Sequence, residues 1–119
     1  MRRPPESEAF TDMTSDSGGV PSTIADGVAI PSWAERVQLS ARLSSGGGAS
    51  TVPVTWYGRL RLDGGWVPIP TCAISNVDSQ ANDLWLIDMP IAAFDAVAPY
   101  VTGSSGTFNL KLTATFTEG

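Results

Sequence analysis

The stretch TFNLKLTATFT, residues 107–117, has the clearest residue pattern in the chain and decides the fold class. Apolar side chains alternate with polar ones along its whole length. The apolar set comprises Phe108, Leu110, Leu112, Ala114 and Phe116. Because successive side chains of a β-strand point to opposite faces, this alternation predicts a long strand with one face in a core and the other in solvent.

Further strands are predicted upstream, separated by turn signals. They cover residues 28–30, 35–43, 52–62, 66–70 and 83–89, with 71–74 continuing the fourth of these. Asp63-Gly64-Gly65 predicts a hairpin turn, because glycine adopts the positive φ angles that a tight turn requires. Pro68 and Pro70 cannot donate ladder hydrogen bonds, so their strand is expected to lie at a sheet edge or to leave the sheet early. Apolar residues on both faces of 83–89 predict a central or covered strand.

Two segments break the strand pattern. Residues 44–51 are Gly-rich and are predicted to form a mobile loop. Residues 90–97 are the one helical candidate, because Pro90 suits a first helical position and Asp88 suits a cap. The predicted fold class is therefore all-β: an antiparallel β-sandwich of six or seven strands with one short helix. An immunoglobulin-like and a jelly-roll-like topology both fit.

The first 26 residues differ in composition from the rest of the chain. They are poor in large apolar side chains and carry five acidic residues and Pro4-Pro5. Such a segment cannot bury enough surface to offset its ordering entropy. We predict a flexible acidic N-terminal arm over residues 1–26 and a β-sandwich domain over residues 27–119. The arm is either a plain disordered tail or a segment that orders on a neighbouring subunit. In the second case its anchors are Phe10, Met13, Val20 and Ile24.

The composition also argues against several function classes. The 119 residues carry a formal net charge of −5, which speaks against nucleic acid as a partner because phosphate binding needs a basic surface. The chain has no histidine, so Ser-His-Asp and Cys-His catalysis and imidazole metal sites are excluded. Asp78 and Asp83 match no established calcium-loop motif. We expect no enzymatic activity, no cofactor and no metal.

The expected environment follows from the same residues. Cys72 is the single cysteine, so an intrachain disulfide is impossible. No apolar run is long enough to span a bilayer, and the first residues do not form a signal peptide. A soluble protein without a membrane partner is expected. Because so small a core often gains stability from partner subunits, a homo-oligomer or many copies in an assembly are expected as well.

Basic and aromatic residues are the candidates for partner contacts. Arg36, Arg42, Arg59 and Arg61 fall on outward positions of the predicted strands. If those strands share a sheet, its basic face would suit an acidic partner; the alternative is scattered solvated charge. Trp66 and Trp85 are candidates for stacking on a ligand, which favours a carbohydrate-binding module as the alternative function. The simpler reading is that they fill the core, where Trp56, Leu60 and Leu62 are also placed.

The segment VAIPSWAERVQL, residues 28–39, followed by SSGGG at 44–48, resembles small β-rich domains of bacteriophage fibre and decoration proteins. In these domains an Ile/Val-Pro step precedes an alternating strand and a Gly-rich loop. The resemblance carries over no catalytic residues. It implies a non-enzymatic structural protein of the virion, assembled in the host cytoplasm, that binds other virion proteins. Capsid decoration, head fibre and tail or connector component are the roles that it implies.

Overall fold

The computed structural model describes residues 4–14, 16–17, 19–69, 83–91 and 93–118. Side chains are described for these residues except at 24, 43–51, 83–86 and 105–108. Within these ranges the chain forms eight strands and one short 3₁₀ turn, Ile24–Asp26. The strands are β1 (Glu6–Ala9), β2 (Val28–Ala29), β3 (Arg36–Thr51), β4 (Val54–Leu60), β5 (Trp66–Pro68), β6 (Asp83–Pro90), β7 (Phe94–Val101) and β8 (Ser105–Thr117).

The strands form two antiparallel sheets of four strands each. The first sheet has the order β1-β8-β3-β6 and the second the order β2-β7-β4-β5. The pairs β1–β8, β2–β7, β3–β6 and β4–β5 are nested, as in one long hairpin that has been wound into two layers. This is the arrangement of an eight-stranded jelly roll. The predicted antiparallel sandwich is confirmed, and the jelly roll is the topology adopted.

The core lies between the two sheets and follows the predicted alternation. On β8, Leu110, Leu112 and Phe116 are buried, as the pattern of residues 107–117 predicts. Trp56 of β4 is the largest fully buried side chain. Burying a large apolar side chain contributes about 1.5–3 kcal/mol, so these residues supply much of the stability of a domain this small. Leu62, which the sequence placed in the core, is 94% exposed because β4 ends at Leu60 and a turn follows.

Two predicted elements are wrong, and a third is wrong in one of its two alternatives. Residues 44–51 extend β3 instead of forming a loop, because their backbone continues to pair with the start of β8, as at Gly46↔Phe108. The helix predicted over 90–97 does not form; the chain enters β7 at Phe94, and Ala96 and Val97 are buried as they pair with both β2 and β4. β6, predicted to be central or covered, is the terminal strand of the first sheet among the described residues, so it is not central there.

Other predictions have mixed outcomes. β5, which contains Pro68, lies at the edge of the second sheet as predicted. The continuation at 71–74, Cys72 and Asp78 lie outside the described residues. No described helix is long and apolar enough to cross a membrane.

Candidate assembly surface

The arm, described at residues 4–14, 16–17 and 19–26, runs along one side of the sandwich. It begins as β1, which pairs with β8 at the edge of the first sheet through Glu6↔Phe116 to Ala9↔Thr113. It ends just before β2, which pairs with β7 at the edge of the second sheet. Residues 10–27 therefore connect the edges of the two sheets on the same side of the domain.

Two of the predicted anchors pack on the core of their own subunit. The Phe10 ring meets the Trp56 ring edge-on, with centroids 5.6 Å apart and an interplanar angle of 70°. The Phe10 amide donates to the carbonyl of Leu112 at 2.9 Å. Met13 and Leu110 exchange two backbone hydrogen bonds, of 3.0 and 2.8 Å. We call the surface formed by Trp56, Leu110 and Leu112 the arm groove.

Polar contacts hold the next part of the arm against the end of β7, the turn that follows it and the middle of β8. Asp12 forms an ion pair of 2.8 Å with Lys111. Asp16 accepts hydrogen bonds from the hydroxyl of Ser104 and from the amides of Ser104 and Gly103. These bonds, the one from the Ser104 hydroxyl first, lower the pKa of the Asp16 carboxyl. The amide of Ser17 donates to the carbonyl of Val101 at 2.8 Å.

The last part of the arm forms a capped turn. Asp26 Oδ2 accepts hydrogen bonds from the amides of Ser22 at 2.8 Å and Thr23 at 2.9 Å. These two backbone bonds lower the pKa of the Asp26 carboxyl, with that from Ser22 contributing most. The predicted anchor Val20 is 56% exposed just before this turn. The backbone of Ile24 lies in the 3₁₀ turn, and its side chain is not among those described.

A pocket of about 330 Å³ opens beside this turn. We call it the arm pocket. Its lining combines polar and apolar residues. The lining residues are Met13, Ser17, Gly19, Val20, Pro21, Ser22, Asp26 and Pro99.

The edge strand β1 carries two carboxylates on the face that is apolar in the neighbouring strand β8. All four of its side chains are exposed. Glu6 and Glu8 lie opposite Phe116 and Ala114, so they occupy the face that continues the core. Inward-facing charges at a sheet edge discourage the addition of further strands. On the other face, the hydroxyls of Ser7 and Thr115 are 2.8 Å apart.

The basic residues do not share one face. Arg36 and Arg42 lie on β3 of the first sheet, whereas Arg59 lies on β4 of the second, so the condition for a single basic face fails. Arg36 pairs with Asp88 at 3.2 Å. Arg59 pairs with Asp95 at 2.7 Å.

The two remaining arginines have different surroundings. Arg42 is exposed and lies opposite Lys111 on β8. Arg61 is exposed in the turn after β4, and its side chain takes part in none of the ion pairs found among the described residues. Within the same ranges no group of three acidic or cysteine side chains could hold a metal ion.

The aromatic residues that could stack on a ligand also differ in their surroundings. Trp66 lies against Gly27: a Cβ at Gly27 would stand 3.0 Å from Trp66 Cη2. The Trp66 Nε1 is buried and has no hydrogen-bond partner among the described residues. Trp85 lies opposite Ala41 in β6, and its side chain is outside the description. Tyr57 and Tyr100 form a half-buried edge-on pair on the second sheet, with centroids 5.9 Å apart.

Sequence reasoning missed the polar contacts of Asp12, Asp16 and Ser17. Each of these residues has a partner more than 80 positions away along the chain. Their only sequence signal is that they are short polar side chains, which commonly cap backbone amides. Leu62 was missed because the strand alternation was carried into the Asp63-Gly64-Gly65 turn signal.

Comparisons with known proteins bear on the fold. No protein-family model matches the chain, and no curated protein matches it. The SPBc2 prophage-derived protein YomS is similar with a TM-score of 0.53 at 15% identity, over 97% of this chain and 96% of that one. A chain of the T13 IBDV viral particle is similar with a TM-score of 0.53 at 13% identity, over 98% of this chain and 31% of that one. At these identities the likeness shows a shared fold.

Proposed function

We propose that this chain is a non-enzymatic structural protein of a bacteriophage particle, present in many copies and bound to other particle proteins. The observation that carries the proposal is the eight-stranded jelly roll, shared over nearly the whole length of a prophage-derived protein and with part of a virus-particle chain. Jelly rolls serve as building blocks of viral capsids. Capsid decoration, a head fibre and a tail or connector role all remain within this proposal.

The arm and its groove supply a mode of attachment. The arm is held by a short ladder, the Phe10–Trp56 contact and a few polar bonds. A neighbouring copy has the same groove, so an arm that crosses to it makes the same contacts and loses no bonds. The balance between the two states then depends on the connection through Gly19 and Gly27 and on the local concentration of copies.

The test is attachment to purified particles. Particles from producing cells are banded on a density gradient, and the chain is sought by mass spectrometry. We expect it in the particle band, and we expect deletion of residues 1–26 to remove it while the truncated domain stays folded. Absence of the full-length chain from the particle band overturns the proposed function. Full attachment of the truncated domain overturns only the role of the arm and assigns attachment to a sheet face.

A carbohydrate-binding module is the second candidate, and the Tyr57–Tyr100 pair favours it. Aromatic rings on a sheet face stack on sugars, and jelly rolls also occur in lectins. Trp66 is a weaker stacking candidate, because it packs against Gly27. Glycan-array binding that is lost in Tyr100→Ala but kept in Ser32→Ala, an exposed control, would support this function. No binding to any glycan would remove it.

A further inference from the structure

The hairpin between β4 and β5 presents an exposed leucine on a well-ordered turn. Leu62 is 94% exposed. The turn around it is fixed by hydrogen bonds from Leu60 N to Gly65 O at 2.8 Å and from Gly64 N to Leu60 O at 2.9 Å. Asp63 Oδ1 accepts a further bond from Gly65 N at 2.8 Å, and Gly64 has a φ of 74°. We call residues 61–65 the hairpin tip.

This order matters for binding. An apolar side chain on a preorganised turn loses little conformational freedom when it is buried by a partner. A single exposed leucine is common on protein surfaces and by itself indicates nothing. The hairpin tip is therefore a candidate docking element only because a complementary pocket lies elsewhere on the same molecule.

The arm pocket offers that complement. Met13, Pro21 and Pro99 supply apolar walls, and Val20 stands exposed beside them. Its volume of about 330 Å³ exceeds the ~150 Å³ of an apolar cavity that takes up benzene, a molecule similar in size to a leucine side chain. One leucine side chain thus fits with room for part of the turn.

The charges of the two surfaces are opposite. Arg61 is exposed next to Leu62. Asp26 is exposed and lines the pocket. Its four hydrogen bonds within the turn all go to Oδ2, so that Oδ1 takes part in none of them. Because the chain carries a net charge of −5, most approaches of two copies are repulsive. An approach that brings Arg61 of one copy next to Asp26 of another is attractive, because the two side chains carry opposite charges.

The tip of a molecule is remote from its own pocket. The tip follows Leu60, which pairs with Phe94 at the start of β7, whereas the pocket contacts Pro99 near the end of that strand. These positions are five residues apart along β7, or roughly 17 Å. An occupant of the pocket that resembles the tip must come from a second molecule.

We propose that the hairpin tip of one copy docks in the arm pocket of another. Leu62 enters between Met13, Pro21 and Pro99, and Arg61 pairs with Asp26. Because tip and pocket are different surfaces, the contact is heterologous and builds rings or rows of copies. This tip-to-pocket contact rests on the proposed function because it needs many copies of the chain. It does not require that arms are exchanged between copies.

Disulfide trapping tests this contact directly. In a Cys72→Ser background, Leu62→Cys and Val20→Cys are made on separate molecules; both sites are exposed, so the fold tolerates them. We expect the oxidised one-to-one mixture to yield at least tenfold more cross-linked dimer than either variant alone. Equal yields in the mixture and in the single variants, or no dimer at all, overturn the proposal.

A second measurement does not depend on the Cys72→Ser background. Sedimentation velocity over a concentration series compares the wild type with Leu62→Asp, Arg61→Glu and the exposed control Ser32→Asp. We expect both tip variants to weaken self-association at least tenfold and the control to leave it unchanged. A wild type that stays monomeric, or tip variants that associate as it does, overturns the proposal. The particle-attachment assay is run in parallel on the wild type and on Leu62→Asp. The wild-type result tests the proposed function, so a failure of the tip contact can be told apart from a failure of the proposed function.

Discussion

Replacing Leu110 by alanine tests the assignment of the core face of β8. Leu110 is 0% exposed and exchanges backbone hydrogen bonds with Met13 of the arm. The substitution removes buried methyl and methylene groups and leaves a cavity, which costs roughly 3–4 kcal/mol when the surroundings relax only in part. The total free energy of unfolding of such a domain is about 5–15 kcal/mol, so the variant still folds but is clearly destabilised.

The matched control is the same substitution at Leu62. That side chain is 94% exposed, so Leu62→Ala should change the free energy of unfolding by less than about 0.5 kcal/mol. Urea titrations followed by tryptophan fluorescence give both values, because Trp56 is fully buried and reports on the core. A loss below about 0.5 kcal/mol at Leu110, or losses of equal size at both positions, would refute the assigned faces.

Three further substitutions test other contacts. Gly58→Ala places a Cβ 2.6 Å from the Phe94 ring, so thermal unfolding should show a loss of about 1–3 kcal/mol; an unchanged melting temperature would mean that the ring moves away freely. Phe10→Ala removes a half-buried ring and its edge-on contact and should cost about 2 kcal/mol in a urea titration, whereas a negligible cost would mean that the arm is not docked. The pKa of Asp16 lies below its ordinary 3.8, so the stabilisation from this carboxylate is present above pH 3.8 and is lost as the pH falls through the lowered pKa. The difference in melting temperature between the wild type and Asp16→Asn should shrink over that acid range. A difference that stays constant would contradict the assigned hydrogen bonds.

The sequence predicted the elements in which a local pattern and the tertiary environment agree. On β8 the polar and apolar residues alternate, and the fold buries one face of that strand, so the pattern alone identified it. The same holds for Pro68, because a residue without an amide hydrogen is favoured at a sheet edge, where one side of the strand needs no ladder hydrogen bonds.

Local patterns failed where distant partners decide. Residues 94–98 are as compatible with a helix as with a strand, and only pairing with both β2 and β4 selects the strand. The Gly-rich residues 44–51 have no apolar pattern, yet their backbone completes the ladder to β8. Composition predicted an arm without a core of its own, but it could not reveal that Phe10 packs against the core of the sandwich.

The candidate site was predictable only in its residue types. Sequence patterns identified outward arginines but not that two sheets separate Arg36 from Arg59, since sheet membership depends on the order of the strands. They gave Phe10 and Met13 as candidate anchors on a neighbouring subunit, but they did not reveal that both pack on the arm groove of their own chain. The expected effect of deleting residues 1–26 changes accordingly. Composition predicts almost no loss of thermal stability, whereas the Phe10–Trp56 contact predicts a measurable one.

The pairing of β1 with β8, the last described strand, imposes a delay between the synthesis of the arm and its docking. The arm leaves the ribosome early, but β8, which carries Leu110 and Leu112 of its groove, follows almost a hundred residues later. At about 5–20 residues per second, the arm of a growing chain waits roughly 5–20 s for its own groove. Finished copies nearby offer a complete groove during that interval only if their own arms are displaced. Two chains that finish together on one polysome, each with an arm that has not yet docked, are therefore the pair in which arms can be exchanged before either chain has closed on itself.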